Sequence, residues 1–193
     1  LSLCNKNFQK INNIDSDKAR HNLLVDVCLA AKHEGQSITR DYPKYRATYV
    51  DSPFELCTVL ARSFADIGDI VRGRDLYGGS KKEKEKLENK LKEYFEKIYE
   101  ELKRGDKKEE AEKHYNGDGP EFFKLREDWW EANRKDVWKA ITCDDDNKLT
   151  GASYFRGTCG GDKENTATRA KDKCRCGNDQ VPTYFDYVPQ YLR

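Results

Sequence analysis

Arg62, Asp66, Asp69, Arg72, Arg74 and Asp75 crowd one short stretch of the sequence. Carboxylates and guanidinium groups at this density could act as a catalytic acid and base, or fix the register of a helix as ion pairs. A working acid/base pair needs a cleft that gives its two members distinct environments, and no nucleophile motif accompanies the set. The stretch is therefore read as ion pairs, with Arg62, Arg72 and Arg74 mostly occupied by Asp66, Asp69 or Asp75. No catalytic residue is assigned, and an enzyme is the least favoured class.

Seven cysteines are the second set that could do chemistry: Cys4, Cys28, Cys57, Cys143, Cys159, Cys174 and Cys176. They are spread widely, which reads as a disulfide set from an oxidising compartment. Zinc would require paired knuckles, and only Cys174 and Cys176 are close together. His21, His33 and His114 stand at no ligand spacing from them. Asp144, Asp145 and Asp146 resemble the start of a calcium loop. However, Leu149 occupies the tight-turn glycine position and no glutamate closes the loop. No metal and no cofactor are expected.

Basic residues are the third set. Lys163, Arg169, Lys171, Lys173 and Arg175 outnumber Glu164 and Asp172 among them and form the best candidate patch for a polyanion. Lys81, Lys82, Lys84 and Lys86 are the second candidate. Residues 81–113 nevertheless hold twelve basic and eleven acidic side chains, so a solvated helix face is the preferred reading of this run. A net charge of +1 gives no global pull toward nucleic acid.

The elements that must position these residues are helical. Leu56, Leu60, Phe64, Ile67 and Val71 recur at helical spacing, and Ser52, Pro53 and Glu55 supply a capping box and a proline at the first helical position. Gly78 and Gly79 supply a stop, so a central helix is expected over 53–77. Gly68, unfavourable in mid-helix by roughly 1 kcal/mol, marks close approach of a neighbour. Leu23, Leu24, Val27, Cys28, Leu29, Ala30 and Ala31 predict a buried helix over 18–34 ending at Gly35, followed by a tyrosine-rich connection through Tyr42, Pro43, Tyr45 and Tyr49. Leu87, Leu91, Phe95, Ile98 and Leu102 predict a helix over 82–104. Phe122, Trp129, Val137 and Ile141 predict another over 121–142, widened by Trp130 and Trp138 as core anchors rather than base-stacking platforms. Residues 1–17 read as a loop, 144–182 as a long disulfide-tied loop, and 183–193 as the start of a further helix. Apolar residues make up 36% and charged residues 37%, which implies a thin, strongly solvated all-α fold. No apolar run is long enough to cross a membrane. The absence of Met and the abrupt LSLC start are read as marks of a fragment.

Four stretches carry a resemblance over essentially the whole chain. ARSFADIGDIVRGRDLYGG (61–79), KLREDWWEANRKDVWKAITC (124–143), VPTYFDYVPQYLR (181–193) and LLVDVCLAAKHEGQSI (23–38) resemble the Duffy-binding-like α domain of the variant erythrocyte membrane protein 1 adhesins of the malaria parasite. The resemblance implies a disulfide-stabilised helical bundle with long irregular loops. Residues 1–17 would end the first subdomain, 18–182 would form the second, and 183–193 would open the third. It also implies an extracellular module on the infected red-cell surface, held to the membrane by a segment far downstream. Host erythrocyte or endothelial receptors, sulfated glycans such as heparan sulfate, blood-group sugars, complement receptor and host antibodies would be its partners. A spacer or immune-decoy domain with no ligand of its own is the alternative. Cys4 would pair outside the fragment. Of the fifteen pairings open to the other six cysteines, the preferred ones join Cys57 to Cys174 or Cys176 and Cys143 to Cys159, with Cys28 paired or free.

Overall fold

The computed structural model describes residues 18–48, 55–76, 80–104, 108–143, 145–160, 166–177 and 179–193, with only the backbone of 45–48. The expectations placed on residues 1–17, Ser52, Pro53, Gly78 and Gly79, on Cys4 and Lys163, and on Tyr45 and Tyr49 lie outside the described residues or side chains.

The described residues form five α-helices: α1 (Ala19–Thr48), α2 (Leu56–Val71), α3 (Lys81–Arg104), α4 (Lys108–His114) and α5 (Phe123–Ile141). The apolar stripes are the ones the spacing sets up. Leu60, Phe64, Ile67 and Val71 of α2, Leu91, Phe95 and Ile98 of α3, and Trp129, Val137 and Ile141 of α5 form one buried cluster with Leu23, Val27 and Ala31 of α1. All three tryptophans are core residues. Phe64 lies 5.0 Å from Trp130 and meets Trp138 edge-on at 5.2 Å, while Trp129 meets Phe95 edge-on. Gly68 is the close approach its position implies: a Cβ there would lie 2.8 Å from the Trp130 ring.

Three boundaries differ from expectation. Helix α1 does not stop at Gly35 but runs on through Pro43 to Thr48. Gly35 is there for contact, since a Cβ on it would fall 1.9 Å from the carbonyl oxygen of Ile141, so the missing side chain lets α1 lie against the end of α5. Helix α2 ends at Val71 rather than 77. Gly73, at φ +71°, takes the left-handed position beyond its cap, and Arg74 N–H returns to the Asp69 carbonyl. Residues 183–193 form two 3-10 turns, Phe185–Tyr187 and Gln190–Leu192, separated by Val188 and Pro189, instead of opening a helix.

A reciprocal capping box does occur, at the start of α3. Ser80 Oγ accepts from Glu83 N–H, and the Glu83 carboxylate accepts from Ser80 N–H and Oγ–H. Between α5 and the 3-10 turns, β1 (Gly157–Cys159) and β2 (Thr168–Arg169) pair antiparallel, with Gly157 opposite Arg169 and Cys159 opposite Thr168. Sequence periodicity gave no sign of this hairpin, because strands of three and two residues are too short to show alternation.

Among the described residues, two disulfides tie the tail down, Cys57–Cys174 and Cys159–Cys176. The first selects Cys174 from the two partners left open for Cys57. The second replaces the expected Cys143–Cys159 pair, because the hairpin turns the chain back so that Cys176, not Cys143, arrives beside Cys159. Cys143 is a free thiol 3.5 Å from Asp145 Oδ1 at the end of α5. Cys28 is also free, and burial pushes its thiol up to about 11.

Candidate functional site

The tail after α5 presents basic side chains on a braced platform. Ala170, Cys174 and Cys176 are buried and act as its anchors. Tyr154 N–H donates to the Ala170 carbonyl, Lys173 N–H to Leu149 and Cys174 N–H to Ala152, so residues 170–174 lie along 149–154. Trp138 Nε1 reaches the Cys174 carbonyl at 3.1 Å. Leu149, the residue at odds with a calcium loop, is fully buried under this segment. Among the described residues no cluster of His, Cys, Asp or Glu could hold a metal ion.

Between those anchors the basic residues have different fates. Arg169 and Lys171 are exposed. Lys173 is half-buried, with its ammonium 3.4 Å from Asn147 Oδ1. Arg175 is spent on structure: Nε donates to Thr142 Oγ1, and Nη2 donates to the carbonyls of Lys139 and Thr142 at 2.8 and 3.0 Å. It therefore closes the C-terminal end of α5, where unpaired carbonyls and the helix dipole both favour a cation. Asp172 is turned toward the loop itself and accepts from Gly151 N–H. Sequence reasoning missed Arg156, which is exposed, stacked 5.1 Å over Phe155 and placed next to Gly157, the partner of Arg169 across the hairpin. Only the pairing brings the backbone of Arg156 near that of Arg169, and a local count of charge does not see it.

Lys81, Lys82, Lys84 and Lys86 are exposed along the first turns of α3. Lys84 turns back to Asp75, donating to its carbonyl and lying 4.0 Å from its carboxylate. This run sits beside the C-terminal end of α2, whereas the tail loop is bridged to Cys57 at the other end. Sixteen residues of helix, about 24 Å, separate those ends. The two basic sets do not form one patch.

The arginine–aspartate set at the C-terminal end of α2 is a structural lock completed by the unforeseen Glu127, Asp186 and Arg193. Fully buried Arg72 pairs with Asp69 at 3.1 Å and with Glu127 of α5 at 3.0 Å, and it donates to the Asp186 carbonyl. Arg74 pairs with Glu127 and not with an aspartate of its own stretch. Asp66 and Asp69 instead receive Arg193. Asp186 is the hub of the second half. Its carboxylate accepts from Trp130 Nε1 at 2.9 Å and from Arg134 Nε and Nη2, both at 2.8 Å. Burial works to lower the Arg134 pKa, but the Asp186 carboxylate outweighs it and raises the value. Each of these groups has a partner among the described residues.

The model of the Duffy binding domain matches residues 1–193, the full length of the sequence. The chain belongs to the Duffy-binding family. Solved Duffy-binding structures agree with the helical architecture. The NTS-DBL1(alpha-1) domain of Plasmodium falciparum membrane protein 1 (PfEMP1) from the varO strain is 41% identical with a TM-score of 0.73. The double domain of NTS-DBL1-alpha and CIDR-gamma from the same strain is 39% identical with a TM-score of 0.74. A PfEMP1 DBLbeta domain, IT4var13, solved bound to ICAM-1, is 32% identical with a TM-score of 0.64. Each alignment covers 98% of this Duffy-binding chain, which spans 39%, 25% and 40% of those three chains. No curated protein sequence matches it. No described helix is long and apolar enough to cross a membrane.

Proposed function

We propose that this Duffy-binding chain is an extracellular adhesion module, displayed on the infected red cell, that engages sulfated glycans of host erythrocyte or endothelial surfaces through its tail loop. The observation that carries the reading is the pair Arg169 and Lys171. Both are exposed on a segment fixed at Ala170, Cys174 and Cys176, and exposed Arg156 adjoins Gly157, which faces Arg169 across the hairpin. Cations held on a braced backbone need little ordering when a polyanion arrives, and each contact releases counterions as phosphate contacts do. Arginine adds bidentate geometry suited to a sulfate group. Lys163, in the same loop by sequence, belongs to the proposed set, and Lys173 supports it from a half-buried position. Arg175 holds the platform rather than the ligand. The lysines at the start of α3 are a separate, weaker candidate. A DBLbeta relative solved with ICAM-1 supports host-receptor binding as the broader role.

Reversing Arg156, Arg169 and Lys171 to glutamate tests the assignment without touching the core. The expected result is loss of most heparin retention with an unchanged unfolding midpoint. Retention equal to that of the parent chain would reject this loop as the glycan site.

A further inference from the structure

The Cys57–Cys174 bridge spans 117 residues and joins the first turn of α2 to the tail. Helices α3, α4 and α5, both strands and almost all of α2 lie inside this covalent loop. Helix α1 and residues 175–193 lie outside it. Both sulfurs are shielded, Cys57 being 1% and Cys174 0% exposed. The second bridge, Cys159–Cys176, spans 17 residues.

We propose that the Cys57–Cys174 bridge is a tension bypass. A pull along the chain, entering through α1 and leaving through the C-terminal segment, crosses the sulfurs at the base of α2 and passes directly to Cys174. The bundle α2–α5 then stays off the load path. Cys159–Cys176 is also off that path, because load leaving Cys174 reaches Cys176 along two residues of backbone.

Among the described residues, two parts outside the loop can be stripped by tension, α1 and the C-terminal segment, and both are held to the shielded bundle. Helix α1 is seated by Gly35 against Ile141, by Tyr94 Oη–H donating to Asp26 at 2.6 Å and by Ser63 Oγ–H donating to Glu34 at 3.0 Å. The C-terminal strap is pinned by Asp186 to Trp130 and Arg134, by Arg193 to Asp66 and Asp69, and by Gln190 to Asp75. Their partners on the bundle sit on α2, α3 and α5 or just past the end of α2, so the strap and α1 grip a body that tension does not unravel. The bypass concerns a pull applied along the chain, so its test needs no ligand and stands apart from the glycan site.

Single-molecule extension of the whole chain, held at its two ends, measures the load path. The oxidised protein is expected to hide the 117 bridged residues, and full reduction should add about 400 Å of contour length. A Cys159→Ser/Cys176→Ser variant should extend no further than the oxidised parent. A Cys57→Ser/Cys174→Ser variant should gain roughly 340 Å, the shorter bridge still hiding its own loop. If that variant does not fold, the comparison of oxidised and reduced parent decides the matter alone. Equal contour lengths in the two states, or full lengthening of the Cys159→Ser/Cys176→Ser variant, would overturn the proposal.

Discussion

At Asp186 a single buried carboxylate organises an indole N–H and a bidentate guanidinium, and its carbonyl takes a second guanidinium from Arg72. Removing it would strand Arg134 and Trp130 Nε1 without water, so Asp186→Ala should cost about 3–5 kcal/mol in urea unfolding. Arg126 is the opposite case. It is fully buried between Phe95 and Phe123, its Nη2 lies 2.9 Å from Glu88 Oε1 off the line of a hydrogen bond, and Nε and Nη1 have no acceptor among the described residues. An apolar side chain of similar length avoids that desolvation, and Arg126→Met should therefore be neutral or stabilising in the same assay. The buried acids also set a pH dependence. Burial pushes the carboxyls of Glu34, Asp66 and Asp69 up, outweighing Ser63 on Glu34 and Arg193 on the two aspartates. The folded chain thus holds protons that the unfolded chain has released, from the ordinary carboxyl value of about 4 up to the raised values. Stability contributed by these groups falls as pH rises through that window. Glu34→Gln, which keeps an acceptor for Ser63, should flatten the slope of unfolding midpoint against pH.

Among the elements, the two bridges differ in the loop they close. A loop of 117 residues restricts the unfolded chain more than one of 17, and the chain-entropy estimate gives about 4.7 against about 3 kcal/mol. Replacing Cys57 and Cys174 with alanine should accordingly lower the thermal midpoint more than replacing Cys159 and Cys176, as calorimetry would show. Helices were legible where their packing repeats every three or four residues, as in α2, α3 and α5. Their ends were less so, because several are set by contacts across the fold. Gly35 looks like a stop until Ile141 is seen against it, and Gly73 ends α2 earlier than the glycine pair that stood out by composition. The hairpin was illegible, and with it the Cys159–Cys176 pair and the placement of Arg156. Each depends on which distant residues meet, and no spacing rule carries that information.

At the scale of the molecule, the bundle is the support, and the charges where α2, α5 and the C-terminal strap meet are spent on holding it together. The arginines and aspartates at this end of α2 were correctly read as ion pairs, but their partners Glu127 and Arg193 come from 55 and 127 residues further on. Of the basic residues singled out in the tail, Arg175 closes α5 and Lys173 is half-buried, whereas Arg169 and Lys171 face solvent. The direct measurement of the central claim is retention of the non-reduced chain on immobilised heparin through a salt series, beside binding to intact red cells. The account predicts retention that falls steeply with salt and cell binding that soluble heparin competes away. Cell binding that is indifferent to heparin and salt, or no binding by either assay, would contradict it.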